Sequence, residues 1–161
     1  AVIGAGTIGH LAARVLAARG HSVTVIDRSS ARLQVLNGPV ETAEILDDAG
    51  RFDWLVEATG QPAALNQLLN QSRPGATLLL LGLPYAEQSF SFESIVAFDR
   101  TVIGSVGSSA QDFREALATL PMIDTSPFLS NTFPLAQFEK ALATARSHSV
   151  LKIMLTPGAA A

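Results

Sequence analysis

The sequence predicts an α/β fold: a doubly wound parallel sheet of six main strands in the order 3-2-1-4-5-6. Three observations predict it. Short β-branched or aliphatic runs alternate with stretches of helical period, the pattern of a parallel sheet with helices on both faces. The first run breaks into Gly4-Ala5-Gly6-Thr7-Ile8-Gly9, a tight turn joining a strand to a helix. Residues 76–83 form a near-continuous apolar run, as in a strand buried on both faces.

Each element follows from local chemistry. Residues 1–3 are the stub of the first strand. Residues 8–19 are the first helix, with Leu11, Ala12, Val15 and Leu16 on one face. Gly20 ends it, and His21 lies in the turn before the second strand, 22–27. Ser29 or Ser30 caps a short helix through Leu36, which Asn37-Gly38-Pro39 stops. Residues 40–50 read as a short third strand and a helical turn. Residues 53–58 are the fourth strand, and Pro62 sits in the first turn of the helix that follows. Residues 76–83 are the fifth strand and 93–98 a short helix. Residues 101–106 are the sixth strand and 111–120 a helix. Phe133-Pro134 leads into a last helix to about Arg146, and 150–155 is a closing strand.

Bulk properties narrow the function classes. The 161 residues suit one domain, and 48% hydrophobic with 16% charged residues is too apolar for disorder. A net charge of −3 and no basic run argue against a nucleic-acid partner. The absence of cysteine excludes disulfides and thiolate metal sites. The apolar run at 78–83 is far too short to span a bilayer. No basic segment precedes the N-terminal glycines, which argues against a signal peptide, so a cytoplasmic location is expected. Three residues precede Gly4, fewer than the five or so of an average strand. The expectation is one domain over 1–157 excised from a longer chain, with 158–161 as a tail.

The glycine turn carries the chemistry. Gly4 allows the tight exit from the strand. Gly6 lacks a Cβ, so a pyrophosphate can approach the backbone, and Gly9 lets the helix pack closely on the sheet. The helix N-terminus favours the phosphate charge. Asp27 ends the β-branched run Val23-Thr24-Val25-Ile26, 18 residues after Gly9, near the spacing of about 20 for the acid that binds the adenosine ribose. Together these residues point to a dinucleotide.

Separated motifs then agree: AVIGAGTIG, VTVID, FDWLVEATG, Gly75-Ala76-Thr77 with Leu81-Gly82-Leu83-Pro84, FPLAQFEKAL and VLKIMLTP. The combination resembles the C-terminal coenzyme-binding Rossmann domain of the medium-chain dehydrogenase/reductase family, the zinc-type alcohol dehydrogenases, over nearly the whole chain. It departs in the short stretch between Leu36 and Arg51, where the family carries a longer third unit.

The resemblance implies roles residue by residue. Gly4, Gly6 and Gly9 match the pyrophosphate turn, with backbone contacts from Thr7 and Ile8. Asp27 matches the acid that selects NAD. Arg28 is the basic neighbour that NADP users carry, but Asp27 would repel a 2′-phosphate. Ala58, Thr59 and Gly60 match the segment under the coenzyme. Leu81, Gly82 and Leu83 match the strand end that binds the nicotinamide carboxamide, with Ser105 and Val106 offering further backbone contacts. Lys152 matches a basic position near the phosphates more loosely. The resemblance also implies a preceding GroES-like domain that holds zinc, the proton relay and the alcohol or carbonyl substrate. Hydride would then pass between that substrate and the nicotinamide. No catalytic residue and no metal ligand is expected in this chain, which alone should turn over nothing in an assay of the purified protein. A homodimer through the 101–106 edge strand is the implied assembly, with no membrane partner.

Other residues read more plainly. His10 is expected to be a solvated helix residue, and His21 and His148 form no ligand-spaced motif with it. Asp47-Asp48 reads as a solvated face, Ser108-Ser109 as a helix cap before Gln111, and Trp54 as core or half-buried packing. Two rival functions share the glycine turn: a stand-alone NAD(H)-sensing regulatory module, and a scaffold serving only oligomerisation. A sensing module would not be expected to share the Leu81-Gly82-Leu83-Pro84 segment or the closing strand.

Overall fold

The computed structural model describes all residues except 85, 86, 88, 148, 149 and 159–161. His148 and the alanines of the expected tail therefore lie outside the described residues. Strands β1 (Val2–Ile3), β2 (Val23–Ile26), β3 (Val40–Ala43), β4 (Trp54–Glu57), β5 (Thr77–Leu80) and β6 (Thr101–Gly104) form one sheet. Its order is β3-β2-β1-β4-β5-β6 and every pairing is parallel, as the sequence predicts.

Alternation along the strands builds two cores. Val2, Val25 and Val56 face one side, against Ala13 and Leu16 of α1 (Thr7–Ala18) and Leu33 of α2 (Ser30–Leu33). Their neighbours Ile3, Ile26 and Leu55 face the other, against Leu68 and Leu69 of α3 (Pro62–Gln71). Adjacent strand residues point to opposite faces, so central strands must be apolar throughout. All four residues of β2 are buried. Gly20, at φ +83°, ends α1, with its N–H on the Ala17 carbonyl.

The remaining elements are α4 (Glu93–Val96), α5 (Ala110–Thr119), α6 (Ser126–Leu129), β7 (Thr132–Pro134), α7 (Phe138–Arg146) and β8 (Met154–Thr156). Ser109 caps α5 in a reciprocal capping box with Asp112, which bears out the serine-cap reading. Residues 40–50 supply β3 and lead into the 3₁₀ turn Ala49–Arg51, where exposed Asp48 accepts from the Gly50 N–H.

Several expectations need correction. The closing strand is Met154–Thr156, shorter and later than 150–155, and it pairs in parallel with β7 as a separate two-stranded sheet. β5 stops at Leu80, because the Leu81 and Gly82 N–H groups both turn onto the Glu57 carbonyl. Only Leu78 of that strand is fully buried. β6 ends at Gly104, so Ser105 and Val106 lie just beyond it. Neither serine hydroxyl caps α2; Asp27 accepts the Ser29 N–H instead. Trp54, the first residue of β4, is 58% exposed and so is not core packing.

Candidate functional site

Strand order reverses between β1 and β4, so the chain leaves these two neighbours toward different helices and opens a crevice at their carboxyl ends. The glycine turn follows β1 and residues 58–60 follow β4. Gly4 has φ +101°, and a Cβ on it would sit 2.7 Å from the Thr59 methyl. A Cβ on Gly9 would run into the Gly4 carbonyl. Around Gly6, by contrast, a Cβ would meet nothing within 4 Å. Gly6 is the N-cap of α1, with no side-chain cap and no acid in the first turn. The first amide groups of a helix lack intrahelical acceptors, so open backbone donors and the helix dipole face the crevice.

Asp27 is built into this turn. Its Oδ2 accepts the Ala5 N–H at 2.6 Å and its Oδ1 accepts the Ser29 N–H at 2.8 Å. Each carboxylate oxygen can accept about two hydrogen bonds, so Asp27 keeps acceptor capacity on both while bracing β1 against β2. Arg32 approaches Oδ2 at 3.8 Å. Arg28 points into solvent. Arg32 is a site neighbour that the sequence reading missed; its place five residues past Asp27, on the first helical turn after β2, is the signal that would have found it.

The far side of the crevice is made by two turns in contact. A Cβ on Gly60 (φ +67°) would lie 3.1 Å from the Leu83 carbonyl, and one on Gly82 would collide with the Gly60 amide. The Ser105 N–H bonds the Leu80 carbonyl. Gly4, Thr59, Gly60, Gly82 and Leu83 therefore line one rim, with Ser105 joined to Leu80 at the neighbouring strand end. Ala58 is half-buried behind it, while Leu81 leads into Gly82. Ile8 and Val106 are exposed, at 51% and 89%. The Thr7 hydroxyl donates to the Leu151 carbonyl at 2.5 Å, which brings the closing segment, and exposed Lys152 after it, to the start of α1.

Glu57 was also missed. It is 3% exposed at the end of β4, and its carboxylate accepts from Thr59 and Gly60. An acid inside the apolar run WLVEATG reads only as a strand end.

His10 is corrected outright: it is fully buried. Its Nε2 lies 3.0 Å from the Arg32 carbonyl, and its ring packs edge-on against Phe128 of α6. Burial pushes its pKa below the ordinary 6.5. Because its partner is a carbonyl, Nε2 is the donor, and among the described residues Nδ1 has no hydrogen-bond partner. A cavity of about 610 Å³ lies beside this region, lined by Ser29, Arg32, Ser126, Ser130, Asn131 and Leu151 among others, and none of the crevice glycines reaches it.

Among the described residues no group of three or more His, Asp or Glu is placed to hold a metal ion. No helix among them is long and apolar enough to cross a membrane.

Comparison with known proteins supplies an independent line. The family model for zinc-binding dehydrogenases matches residues 7–121. The L-threonine 3-dehydrogenase of Bacillus subtilis is 30% identical over 98% of this chain and 50% of its own length. The solved L-idonate 5-dehydrogenase of Escherichia coli K-12 superposes with a TM-score of 0.83 at 22% identity, over 96% of this chain and 49% of that one. A short chain alcohol dehydrogenase of Escherichia coli CFT073, solved with NADH, gives 0.81 at 19% identity, over 96% and 51%. The chain spans about half the length of the relatives it matches.

Proposed function

The chain belongs to the zinc-binding dehydrogenase family, and from that premise we propose that it is the NAD(H)-binding half of an alcohol or polyol dehydrogenase. One observation carries the reading: the uncapped start of α1 opens at Gly6, where a Cβ would meet nothing, directly beside the braced carboxylate of Asp27. That pairing suits a pyrophosphate next to a ribose. The relatives are dehydrogenases, which favours the enzyme over a sensing module.

When bound, the nicotinamide accepts or gives a hydride. This chain's residues would hold and orient it. Backbone amides of Gly6, Thr7, Ile8 and Gly9 would take the pyrophosphate, with Lys152 nearby. Asp27 would accept from the ribose hydroxyls and reject a 2′-phosphate, with Arg32 and Arg28 at its flank. Ala58, Thr59 and Gly60 would pass under the coenzyme, while Leu81, Gly82, Leu83, Ser105 and Val106 would present backbone groups to the carboxamide. The described residues do not fit a zinc ion, so zinc, proton relay and substrate contacts are assigned to the other half of a relative-length protein.

Calorimetric titration with NADH and NADPH tests this. Trp54 lies at the opposite end of β4 from the crevice, so its fluorescence is a poor reporter. NADH should bind at least about tenfold more tightly than NADPH. Asp27→Ala should cost NADH about tenfold or more, the worth of a charge-assisted hydrogen bond or two. Equal affinity for both coenzymes, or an indifferent Asp27→Ala, would sink the proposal.

β6 is an edge strand, with Ile103 and Val106 exposed at and just past its end. An unpaired edge invites another strand, which supports a homodimer through it. Sedimentation velocity at micromolar concentration should show a dimer that Ile103→Lys converts to monomer; a wild-type monomer throughout that range argues the other way.

A further inference from the structure

Glu57 connects the two turns that form the far rim of the crevice, and it does so in two ways. Its backbone carbonyl accepts both the Leu81 N–H, at 2.8 Å, and the Gly82 N–H, at 2.9 Å. Its side chain reaches the other turn. Oε1 accepts the Thr59 N–H at 2.7 Å, the Thr59 hydroxyl, and the Gly60 N–H at 3.1 Å. Oε2 lies 3.2 Å from the same Gly60 N–H. The Thr59 hydroxyl accepts in turn from the Gln61 N–H, at the start of α3.

No ion pair accounts for this carboxylate among the described residues. It is almost fully buried, and burying a charge is costly unless hydrogen bonds compensate it. An amide or an apolar residue would end β4 at lower cost. What the acid supplies is a clamp: three donors from two consecutive residues converge on one oxygen. The clamp fixes the left-handed Gly60 (φ +67°) against Leu83, and Oε2 packs where any side chain on Gly82 would have to go. The two turns are thus seated on a single residue.

We infer that Glu57 is a positioning residue for the nicotinamide end of the coenzyme, holding residues 58–60 and 81–83 in one fixed arrangement. This rests on the dinucleotide reading above. It predicts that the side chain matters to ligands that reach those turns and not to ligands that occupy only the adenosine and phosphate side.

The test is calorimetry on the whole chain with NADH and with ADP-ribose, which lacks the nicotinamide. In the wild type NADH should bind more tightly than ADP-ribose. Glu57→Ala should weaken NADH by about tenfold, the equivalent of one buried hydrogen bond, and leave ADP-ribose within about twofold. Glu57→Gln should restore NADH to within about threefold of wild type, because its amide oxygen accepts the same two N–H groups. If Glu57→Ala does not fold, Glu57→Asp takes its place, since its shorter reach should lose the same NADH increment. Equal losses on both ligands, no loss on either, or a wild type that does not distinguish them would overturn the inference. A wild type that binds neither ligand would bring down the dinucleotide reading itself.

Discussion

Gly9→Ala should destabilise the fold, whereas Gly6→Ala should leave the fold intact and weaken coenzyme binding at least about a hundredfold. Both lie in one turn and both are small for different reasons. A Cβ on Gly9 falls within collision distance of the Gly4 carbonyl, with Val2 also 3.5 Å away. The obstacle is backbone, which has no rotamer to escape through. α1 must lift from β1 and loosen the core of Val2, Val25 and Val56. Overpacking costs about 1–3 kcal/mol and sometimes more, set against a gain of about 1 kcal/mol for alanine over glycine in a helix. The net loss for Gly9→Ala is therefore up to about 2 kcal/mol, and Gly9→Val should lose considerably more.

Gly6 has φ −79° and ψ −173°, extended backbone open to any residue, and no neighbour within 4 Å of a built Cβ. Alanine there should change stability by no more than about 1 kcal/mol, the usual difference between N-cap residues. Its methyl group would nevertheless occupy the surface over which a pyrophosphate must approach. Thermal melts and NADH calorimetry on the same samples separate the two effects. Gly6→Ala should melt within a few degrees of wild type with NADH affinity down at least about a hundredfold, a loss of about 2.7 kcal/mol. If Gly6→Ala bound NADH normally, the crevice over Gly6 would not be the phosphate site.

The contrast shows what the sequence made legible. Steric demands leave a signature, since a position where no Cβ fits can hold only glycine; so Gly4 and Gly9 identified their own roles, and the β-branched run before Asp27 located the acid. The parallel sheet followed from the alternation of elements, and its strand order from the dinucleotide-binding fold that the glycine turn signals. Roles that depend on a distant partner left no such mark. His10 looked like a solvated helix residue because its cover, Phe128, arrives from the far end of the chain. β7 is three residues ending in a proline, and only its pairing with β8 makes it a strand. Glu57 and Arg32 acquire meaning from what their side chains reach, which periodicity cannot express.

Arg100 belongs to the same class, and its removal should be as damaging as any single change outside the glycine turn. It is 7% exposed at the entry to β6. Nη1 donates to the Leu69 and Ser94 carbonyls, and Nη2 donates to the Ser72 carbonyl. The guanidinium also stacks 4.5 Å from the Phe98 ring. Leu69 and Ser72 lie at the end of α3 and Ser94 in α4, so one side chain satisfies carbonyls that no helical amide can reach. Arg100→Met keeps the aliphatic stem and deletes every donor. Each buried carbonyl left without a donor costs about 1–3 kcal/mol; with some relaxation of the α3 end, the total should be about 3–5 kcal/mol. For a chain of this size that is a fall in Tm of roughly 10 °C, at about 2–4 °C per kcal/mol. Arg100→Lys should lie between, since one ammonium cannot span three carbonyls on two helices. Scanning calorimetry of the three proteins decides it. A fall of under about 3 °C for Arg100→Met would correspond to a loss near 1 kcal/mol, which would mean that water reaches these carbonyls and that α3 and α4 are held by their apolar contacts alone.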